Sequence, residues 1–293
     1  MIAQAPEAVT AEGPLAIICG GGTLPFTVAE AAKERGRAVY IYALSGWADP
    51  HRVKDYPHRF GAIGQLGHFC RFAREAGCRD VVCIGSLIRP ALSQLRVDLA
   101  TIMALPDIVA AFRGGDNHLL SSVGRILEKS GFRLLGAHEV APEILMKEGA
   151  LGGFKPSPRD EADIAYGLDV LRSTSSFDIG QAVVVADLRV LALEAAEGTD
   201  LMLERIADLR TRGRVRMALG RGVLVKAPKA GQDRRLDLPS IGPDTITLVA
   251  RAGLAGVAVA AGATIIAEPQ RVAQAADASK LFAVGISESG ITR

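Results

Sequence analysis

The segment LAIICGGGTLP, residues 15–25, decides the fold of this chain. Its first five residues form a continuous apolar run, which is typical of a strand buried on both faces of a parallel sheet. A glycine turn follows directly, and a helical pattern then runs to about Arg35, with Pro25 in its first turn and Gly36 at its end. The segment therefore predicts a strand, a glycine loop and a helix in succession.

The same pattern recurs along the next hundred residues. The further elements are strands at 38–43, 80–85 and 132–135, and helices at 66–76, 99–112 and 117–130. Strands that alternate with helices are joined by right-handed crossovers into a parallel, doubly wound sheet. The sequence therefore predicts an N-terminal Rossmann-like parallel-sheet domain over residues 14–150, preceded by a flexible tail at 1–13.

The pattern changes after the glycine- and proline-rich segment EGALGGFKPSPR, which predicts a linker at residues 151–158. Two adjacent strand candidates, Gln181–Ala186 and Arg189–Ala195, favour an antiparallel pair. The other elements are helices at 160–172, 199–209 and 245–252, and strands at 222–226, 234–238, on both sides of 260–262, and at 281–286. We therefore predict a C-terminal mixed α/β domain at residues 159–293, and an α/β fold class for the whole chain.

Composition and charge exclude several classes of protein. The 293 residues include 34 Lys and Arg against 32 Asp and Glu, and a net charge of +2 argues against a nucleic-acid binder. The four cysteines lack the spacing of a metal site and are typical of buried thiols in a reducing compartment. The N-terminal residues lack the basic and apolar regions of a secretory signal, and no uncharged stretch is long enough to cross a membrane. We expect a cytoplasmic protein that binds no nucleic acid.

The balanced total conceals one strongly basic segment. Residues 205–235 contain ten basic residues and two acidic ones, a local charge of +8 that leaves −6 for the rest of the chain. A cationic surface here would attract a pyrophosphate and an anionic membrane face. The alternative for the middle of the segment is a solvated helix face.

The glycine turn after the first strand has two interpretations. Gly20 and Gly22 match the start of a dinucleotide-binding fingerprint, but Pro25 occupies the third glycine position, and the second strand ends without a carboxylate. The turn either holds phosphate oxygens through backbone N–H groups at a helix N-terminus or is a purely structural tight turn.

Two more segments follow predicted strands at the edge where open α/β sheets place their ligands. The first contains Ser86 and Arg89, and the Arg89 guanidinium either binds an anion through two N–H groups or pairs with a surface carboxylate. The second contains His138, which either faces the same crevice or is structural. Motifs of zinc proteases, α/β-hydrolases and Walker-type NTPases are absent from the sequence, which removes those classes.

The C-terminal domain carries two polar candidates. The segment from Glu194 to Asp200 is either a capped helix start or a group of carboxylates at a helix N-terminus that binds metal or phosphate. If the chain is extended near position 235, alternation places Asp233, Arg235 and Asp237 on one face. That face is either a site for Mg²⁺ and pyrophosphate or an exposed strand with alternating salt bridges.

Six motifs, in this order along the chain, resemble those of one family: CGGGTLP, GSLIRP, GAHE, DIGQ, EGTD and VLVKAPKAGQDRRLDLPSIGPDT. Together they closely resemble the UDP-2,3-diacylglucosamine pyrophosphatases of the LpxI type, which act in lipid A assembly. The resemblance covers essentially the whole chain after the first dozen residues. Its most specific part is the block from Lys226 to Thr245.

The resemblance implies an activity and a location. The implied reaction is the Mg²⁺-dependent hydrolysis of UDP-2,3-diacylglucosamine to 2,3-diacylglucosamine 1-phosphate and UMP, by attack of water on the pyrophosphate. The resemblance also implies that the C-terminal domain is catalytic and binds acyl chains. A homodimer, located peripherally at the cytoplasmic face of the inner membrane, is the implied assembly.

The resemblance also assigns roles to residues. The essential aspartate of the family lies in an R-x-D-L-P element, which places catalysis and magnesium binding at Asp237, with Asp233 as the second ligand from the alternation above. The substrate-binding candidates are Gly21, Gly22, Thr23, Leu24, Ser86, Arg89, His138, Gln181, Glu197, Gly198, Thr199, Asp200 and Lys226. The GN-x-x-RP element of the family has Ser86 in place of its Asn here.

Two other functions fit parts of the sequence. An NAD(P)-dependent oxidoreductase would use the first glycine loop, and the missing carboxylate after the second strand counts against it. A non-catalytic nucleotide-sugar-binding protein would need no metal at Asp233 and Asp237.

Overall fold

The computed structural model describes residues 13–87, 96–104, 106, 108–109 and 116–287. The chain divides into two compact units, the first comprising residues 1–113 and 122–141, and the second comprising residues 114–121 and 142–293. No helix in the described ranges is long and apolar enough to span a membrane. The predicted tail at 1–13 lies almost wholly outside the described residues.

The first unit contains the predicted parallel sheet. Its strands are β1 (Leu15–Cys19), β2 (Val39–Leu44), β3 (His58–Gly61), β4 (Asp80–Ile84) and β5 (Arg133–Leu135), in the order β3-β2-β1-β4-β5. All four pairings are parallel. The helices up to residue 141 are α1 (Leu24–Glu34), α2 (Pro50–Val53), α3 (Leu66–Glu75), α4 (Leu99–Met103), α5 (Asp116–Lys129) and α6 (Ala137–Val140). The prediction of a Rossmann-like domain is confirmed.

Strand order identifies the place where this sheet could take a ligand. The chain builds outward from β1 through β2 to β3, and then returns to add β4 on the other side of β1. In open parallel sheets the loops diverge at such a reversal, and ligands bind at the carboxyl ends of the two central strands. The loops that follow β1 and β4 are therefore the candidate site of the first unit.

At the end of the sheet opposite to those loops, a buried ion cluster joins the first residues of β4 and β5. Asp80 opens β4 and accepts hydrogen bonds from the buried Arg37 and, at 2.7 Å on each oxygen, from Arg133 at the start of β5. Arg37 also donates to the carbonyl of Gly13. Burial raises the pKa of Asp80, but the bonds from Arg133 and Arg37 outweigh it and hold that pKa below its ordinary value.

The second unit contains a mixed sheet. Its strands are β6 (Gly149–Ala150), β7 (Ala182–Ala186), β8 (Arg189–Leu193), β9 (Val223–Lys226), β11 (Gly256–Ala260) and β13 (Phe282–Ile286), in the order β6-β13-β11-β9-β7-β8. The three central strands are parallel, whereas β6, β7 and β8 pair antiparallel with their neighbours. A separate parallel pair is formed by β10 (Ser240–Ile241) and β12 (Ile265–Ile266). The prediction of a mixed α/β domain is confirmed.

Helices cover both faces of this sheet. They are α7 (Pro158–Thr174), α8 (Gly198–Thr211), α9 (Pro243–Arg251) and α10 (Pro269–Ala278). Alternate residues of a strand point to opposite faces. Val183, Val185 and Val225 therefore pack with α7, while Val184 and Leu224 pack with the core that includes α8, α9 and α10.

One predicted strand is contradicted by the structure, and several elements were not predicted. The strand predicted at 234–238 is wrong: the N–H groups of Leu236 and Asp237 both donate to the carbonyl of Asp233, which makes a tight turn. The edge strand β3, which is short and mostly polar, was not predicted, and neither was α10. The sequence predicted the domain end at 150. In the structure residues 142–150 are grouped with the second unit, since the N–H of Met146 donates to the carbonyl of Thr264 and β6 pairs with β13.

The Asp80 cluster predicts how the first unit responds to mutation and acid. Asp80→Asn removes the buried carboxylate charge that Arg37 and Arg133 share, so the free energy of unfolding should fall by about 3 kcal/mol in urea titrations at pH 7. Because the folded pKa of Asp80 is lowered, the unfolded state binds more protons, and the wild type should lose this stabilisation between about pH 5 and pH 2. Asp80→Asn should show a shallower loss over that range.

The matched control for this prediction is Glu75→Gln, which removes an exposed pair with Arg59 and should change stability by less than about 1 kcal/mol. Equal effects of the two substitutions would contradict a special role for the buried cluster.

Candidate functional site

The glycines after β1 and β4 are required by a close approach of two loops. Gly21 and Ser86 exchange N–H···O bonds of 2.9 Å in both directions. A Cβ on Gly20 would lie 2.9 Å from the Gly85 carbonyl carbon, and a Cβ on Gly85, whose φ is +114°, would lie 2.7 Å from the Gly20 backbone. A side chain is therefore excluded at Gly20 and at Gly85, where the two backbones meet.

This contact limits what the turn can offer an anion. The N–H groups of Gly20 and Gly21 are already bonded to the carbonyls of Ile84 and Ser86. Gly22 is exposed, with a φ of +87° and open space beside it, and it lies next to the start of α1. Gly22, Thr23 and Leu24 stay predicted anion contacts, whereas the N–H of Gly21 has a structural role.

The other predicted residues of the first unit differ in what the structure shows. Ser86 is exposed, and its Oγ lies beside Gly21. His138 lies in α6, directly after β5, and its buried Nδ1 has no hydrogen-bond partner among the residues that the structure describes. A buried ring nitrogen without a partner is a position that a ligand or water can satisfy. Arg89 lies outside the described residues.

The second unit brings four predicted residues into one polar network. The side-chain amide of Gln181 donates to Asp237 Oδ2 at 3.0 Å. Lys226 Nζ donates to Thr199 Oγ1 at 3.0 Å and to the carbonyl of Ser240 at 2.9 Å. Gln181 precedes β7, Thr199 lies in the first turn of α8, Lys226 ends β9, and Asp237 lies on the segment after β9, so residues far apart in sequence meet at one end of these strands.

Glu194 connects the parts of this network. Its Oε1 accepts the Thr199 hydroxyl at 2.9 Å, and its Oε2 accepts the backbone N–H of Gln181 at 2.7 Å. The sequence placed Glu194 in a group of carboxylates but did not select it as a site residue. The available signal was its position immediately after an antiparallel strand and five residues before Thr199.

Lys226 is the most buried charge of the network. Only 7% of the residue is exposed, and burial lowers its pKa, while the negative charges of Glu194, Asp200 and Asp237 oppose that shift. A buried ammonium must be paired, because desolvation of an isolated charge costs far more than a domain can offset. The lysine therefore places positive potential beside Asp237.

The start of α8 adds a second positive feature. Gly198, with a φ of +80°, leads into a helix of 14 residues, and the structure records no side-chain cap at its N-terminus. The first N–H groups of a helix favour anions. Glu197 is directed elsewhere, because it pairs with Arg205 at 2.7 Å and receives the N–H of Ala195.

Asp233 and Asp237 differ in their availability to a metal ion. Both oxygens of Asp233 accept bonds from Arg235, which also lowers the Asp233 pKa. In the described part of the chain, no three His, Cys, Asp or Glu side chains converge on a metal position. The donor set therefore excludes a preformed protein cage. It fits a magnesium ion held by one carboxylate, Asp237, together with ligand phosphates and water.

Fold and site together define the class of the protein. It is an α/β protein. Its second unit brings together the buried Lys226 ammonium, the N-terminus of α8 and the Asp237 carboxylate, which accepts a hydrogen bond from the Gln181 amide. These groups suit a phosphorylated ligand. The LpxI N-terminal domain matches residues 14–144, and the LpxI C-terminal domain matches residues 147–284. The chain belongs to the LpxI family, which confirms the resemblance found in the sequence.

One relative matches over nearly the whole chain. It is the UDP-2,3-diacylglucosamine pyrophosphatase LpxI of Caulobacter vibrioides, which is 44% identical over 275 residues, or 93% of this chain and 97% of the relative. Among solved structures, UDP-glucose-4-epimerase from Stenotrophomonas maltophila, with bound NAD and formylated UDP-arabinopyranose, is 11% identical. That match covers 85% of this chain and 65% of the epimerase at a TM-score of 0.29, which is too low to support an argument.

The loop contact in the first unit predicts a graded response to alanine. Gly85→Ala combines left-handed strain with overlap on the Gly20 backbone and should lower the free energy of unfolding by about 3 kcal/mol or more. Gly77→Ala has a similar positive φ but open space, and strain alone should lower it by about 1 kcal/mol. Chemical denaturation measures both, and a smaller loss in Gly85→Ala would contradict the close approach.

Proposed function

We propose that this protein hydrolyses the pyrophosphate of UDP-2,3-diacylglucosamine to 2,3-diacylglucosamine 1-phosphate and UMP. The observation that carries the proposal is the network of Gln181, Lys226 and Asp237 in a chain that belongs to the LpxI family. The relative from Caulobacter vibrioides carries the name of this activity. Family membership gives no support to the oxidoreductase alternative.

The network suits the hydrolysis of a phosphoanhydride. Such a reaction needs negative charge to be stabilised and a water molecule to be placed in line with the leaving group. Lys226 and the first N–H groups of α8 supply positive potential for the phosphate oxygens. Gln181 fixes the orientation of the Asp237 carboxylate, which then accepts a hydrogen bond, and finally the proton, from the attacking water.

Magnesium is part of the proposal. When bound, Mg²⁺ would neutralise charge on the phosphate oxygens and lower the pKa of a coordinated water. Asp237 is its proposed protein ligand. Asp233 is the proposed second ligand only if its carboxylate leaves Arg235 when substrate binds.

The activity is tested by incubating purified protein with UDP-2,3-diacylglucosamine, with Mg²⁺ or with EDTA, and measuring UMP. Asp237→Asn keeps an oxygen that can accept the hydrogen bond from the Gln181 amide, but it removes the base. The value of kcat should therefore fall by about 100-fold or more. The matched control is Asp208→Asn, an exposed carboxylate paired with Arg212, which should retain wild-type activity. Absence of UMP from the wild type, or full activity in Asp237→Asn, would overturn the proposal.

We further propose that the enzyme is a homodimer. We also propose that it binds an anionic membrane surface through the loop between α8 and β9. The exposed arginines Arg212, Arg214 and Arg216 lie on this loop beside Leu219, which is 81% exposed. Clustered arginines attract anionic lipid head groups, and an exposed leucine can enter the interfacial region. A lipid-linked substrate would be met at that surface.

Vesicle sedimentation tests this surface. The double variant Arg214→Glu and Arg216→Glu should bind phosphatidylglycerol-containing vesicles at least about tenfold more weakly, since each basic residue near the surface contributes about 1 kcal/mol. The control Arg189→Glu alters an exposed arginine on β8 and should bind normally. Equal binding by all forms would refute the surface, and sedimentation equilibrium tests the dimer.

A further inference from the structure

The segment that carries Asp237 has little regular structure of its own. Residues 227–239 run from the end of β9 to β10 through turns and irregular backbone. A catalytic carboxylate on such a segment keeps its position only if contacts from outside the segment hold it, because loops otherwise sample many conformations. Contacts from other parts of the chain must therefore hold Asp237 in place.

Four of the contacts that hold the segment come from one short stretch before β7. The N–H of Ala227 donates to the carbonyl of Gln181 at 3.1 Å, and the N–H of Ala230 donates to Ser175 Oγ at 2.5 Å. Between them, Lys229 Nζ pairs with Asp178 Oδ1 at 2.5 Å. The same stretch supplies Gln181, whose side chain contacts Asp237. Two segments about fifty residues apart are therefore tied together at four points.

One of these four contacts, between Lys229 and Asp178, is an ion pair. The side chain of Lys229 is 9% exposed and that of Asp178 is 30% exposed, so solvent screens the pair less than an exposed one. Asp178 has a left-handed backbone, with a φ of +53°, a conformation that Asp and Asn adopt more readily than other residues with side chains. The backbone at this position directs the carboxylate to the lysine.

We propose that Lys229 and Asp178 form a positioning pair that holds the Asp237 segment against Gln181. The pair touches neither substrate nor reacting atoms; it acts through the geometry of Asp237. A displacement of about 1 Å at a reacting group can cost about 100-fold in rate, so a fixed segment is needed for the chemical step. The inference rests on the proposed function for its kinetic consequence, and on the structure alone for its conformational one.

The test uses the full chain and two substitutions at the pair. Asp178→Asn keeps the left-handed backbone but removes the charge, and Lys229→Met keeps the length but removes the ammonium. Each should lower kcat about tenfold or more with KM changed less than about twofold, because positioning affects the chemical step. Lys229→Arg keeps the charge and should restore most of kcat. The control Asp169→Asn breaks an exposed pair with Arg172 and should change neither.

Hydrogen–deuterium exchange separates the two proposals. Peptides that cover 227–239 and 175–181 should exchange at least about tenfold faster in Asp178→Asn and Lys229→Met than in the wild type or in Lys229→Arg. If the wild type releases no UMP, the proposed function fails, and the exchange result still decides the positioning pair. The positioning pair would be overturned by unchanged exchange and unchanged kcat in Asp178→Asn and Lys229→Met. An equal loss of kcat in Lys229→Arg and Lys229→Met would also overturn it.

Discussion

The burial of one ammonium group organises the polar end of the second unit. Lys226 is the last residue of β9, and its aliphatic stem is enclosed by the sheet and its covering helices. A cation in that position is stable only with oxygen partners and nearby negative charge, and the structure supplies both from several separate loops. The loops converge because each contributes something that the buried charge needs. The positions of Thr199, Glu194 and Asp237 near the ammonium meet that need.

Different kinds of contact hold the loops together in the two units. In the first unit, the backbones of two loops touch directly at Gly20 and Gly85, and no side chain intervenes. In the second unit, side chains make the connections, through carboxylates, an amide and two lysines. Backbone contact gives a rigid turn with few free donors, whereas side-chain contact leaves charged groups that can exchange partners.

The sequence predicted the fold well where a single pattern has a single physical cause. The apolar run at residues 15–19 is buried on both faces of a sheet, as expected, and the adjacent strands β7 and β8 are antiparallel as expected. Alternation near Arg235 was misleading because a tight turn, in which the guanidinium returns to Asp233, gives the same order of charges as an exposed strand. The edge strand β3 escaped detection because it has only four residues, two of them His58 and Arg59, and its one large apolar residue, Phe60, is 40% exposed.

For the site, the sequence named Gln181, Thr199, Lys226 and Asp237, but it could not show that they meet. Gln181 and Asp237 are fifty-six residues apart, and only tertiary structure places the amide against the carboxylate. Asp178 and Lys229 escaped because an ion pair between two loops leaves no periodic signal in either loop.

The Thr199 hydroxyl has a fixed polarity. Its proton is directed to the carboxylate of Glu194, and one of its lone pairs receives the Lys226 ammonium. A hydroxyl has one proton and two lone pairs, so this one can only accept a further bond. Thr199 therefore has no proton left to donate, and its remaining lone pair can accept one further N–H or O–H donor. The direction of a single proton, fixed by Glu194, decides which kind of partner this hydroxyl can take.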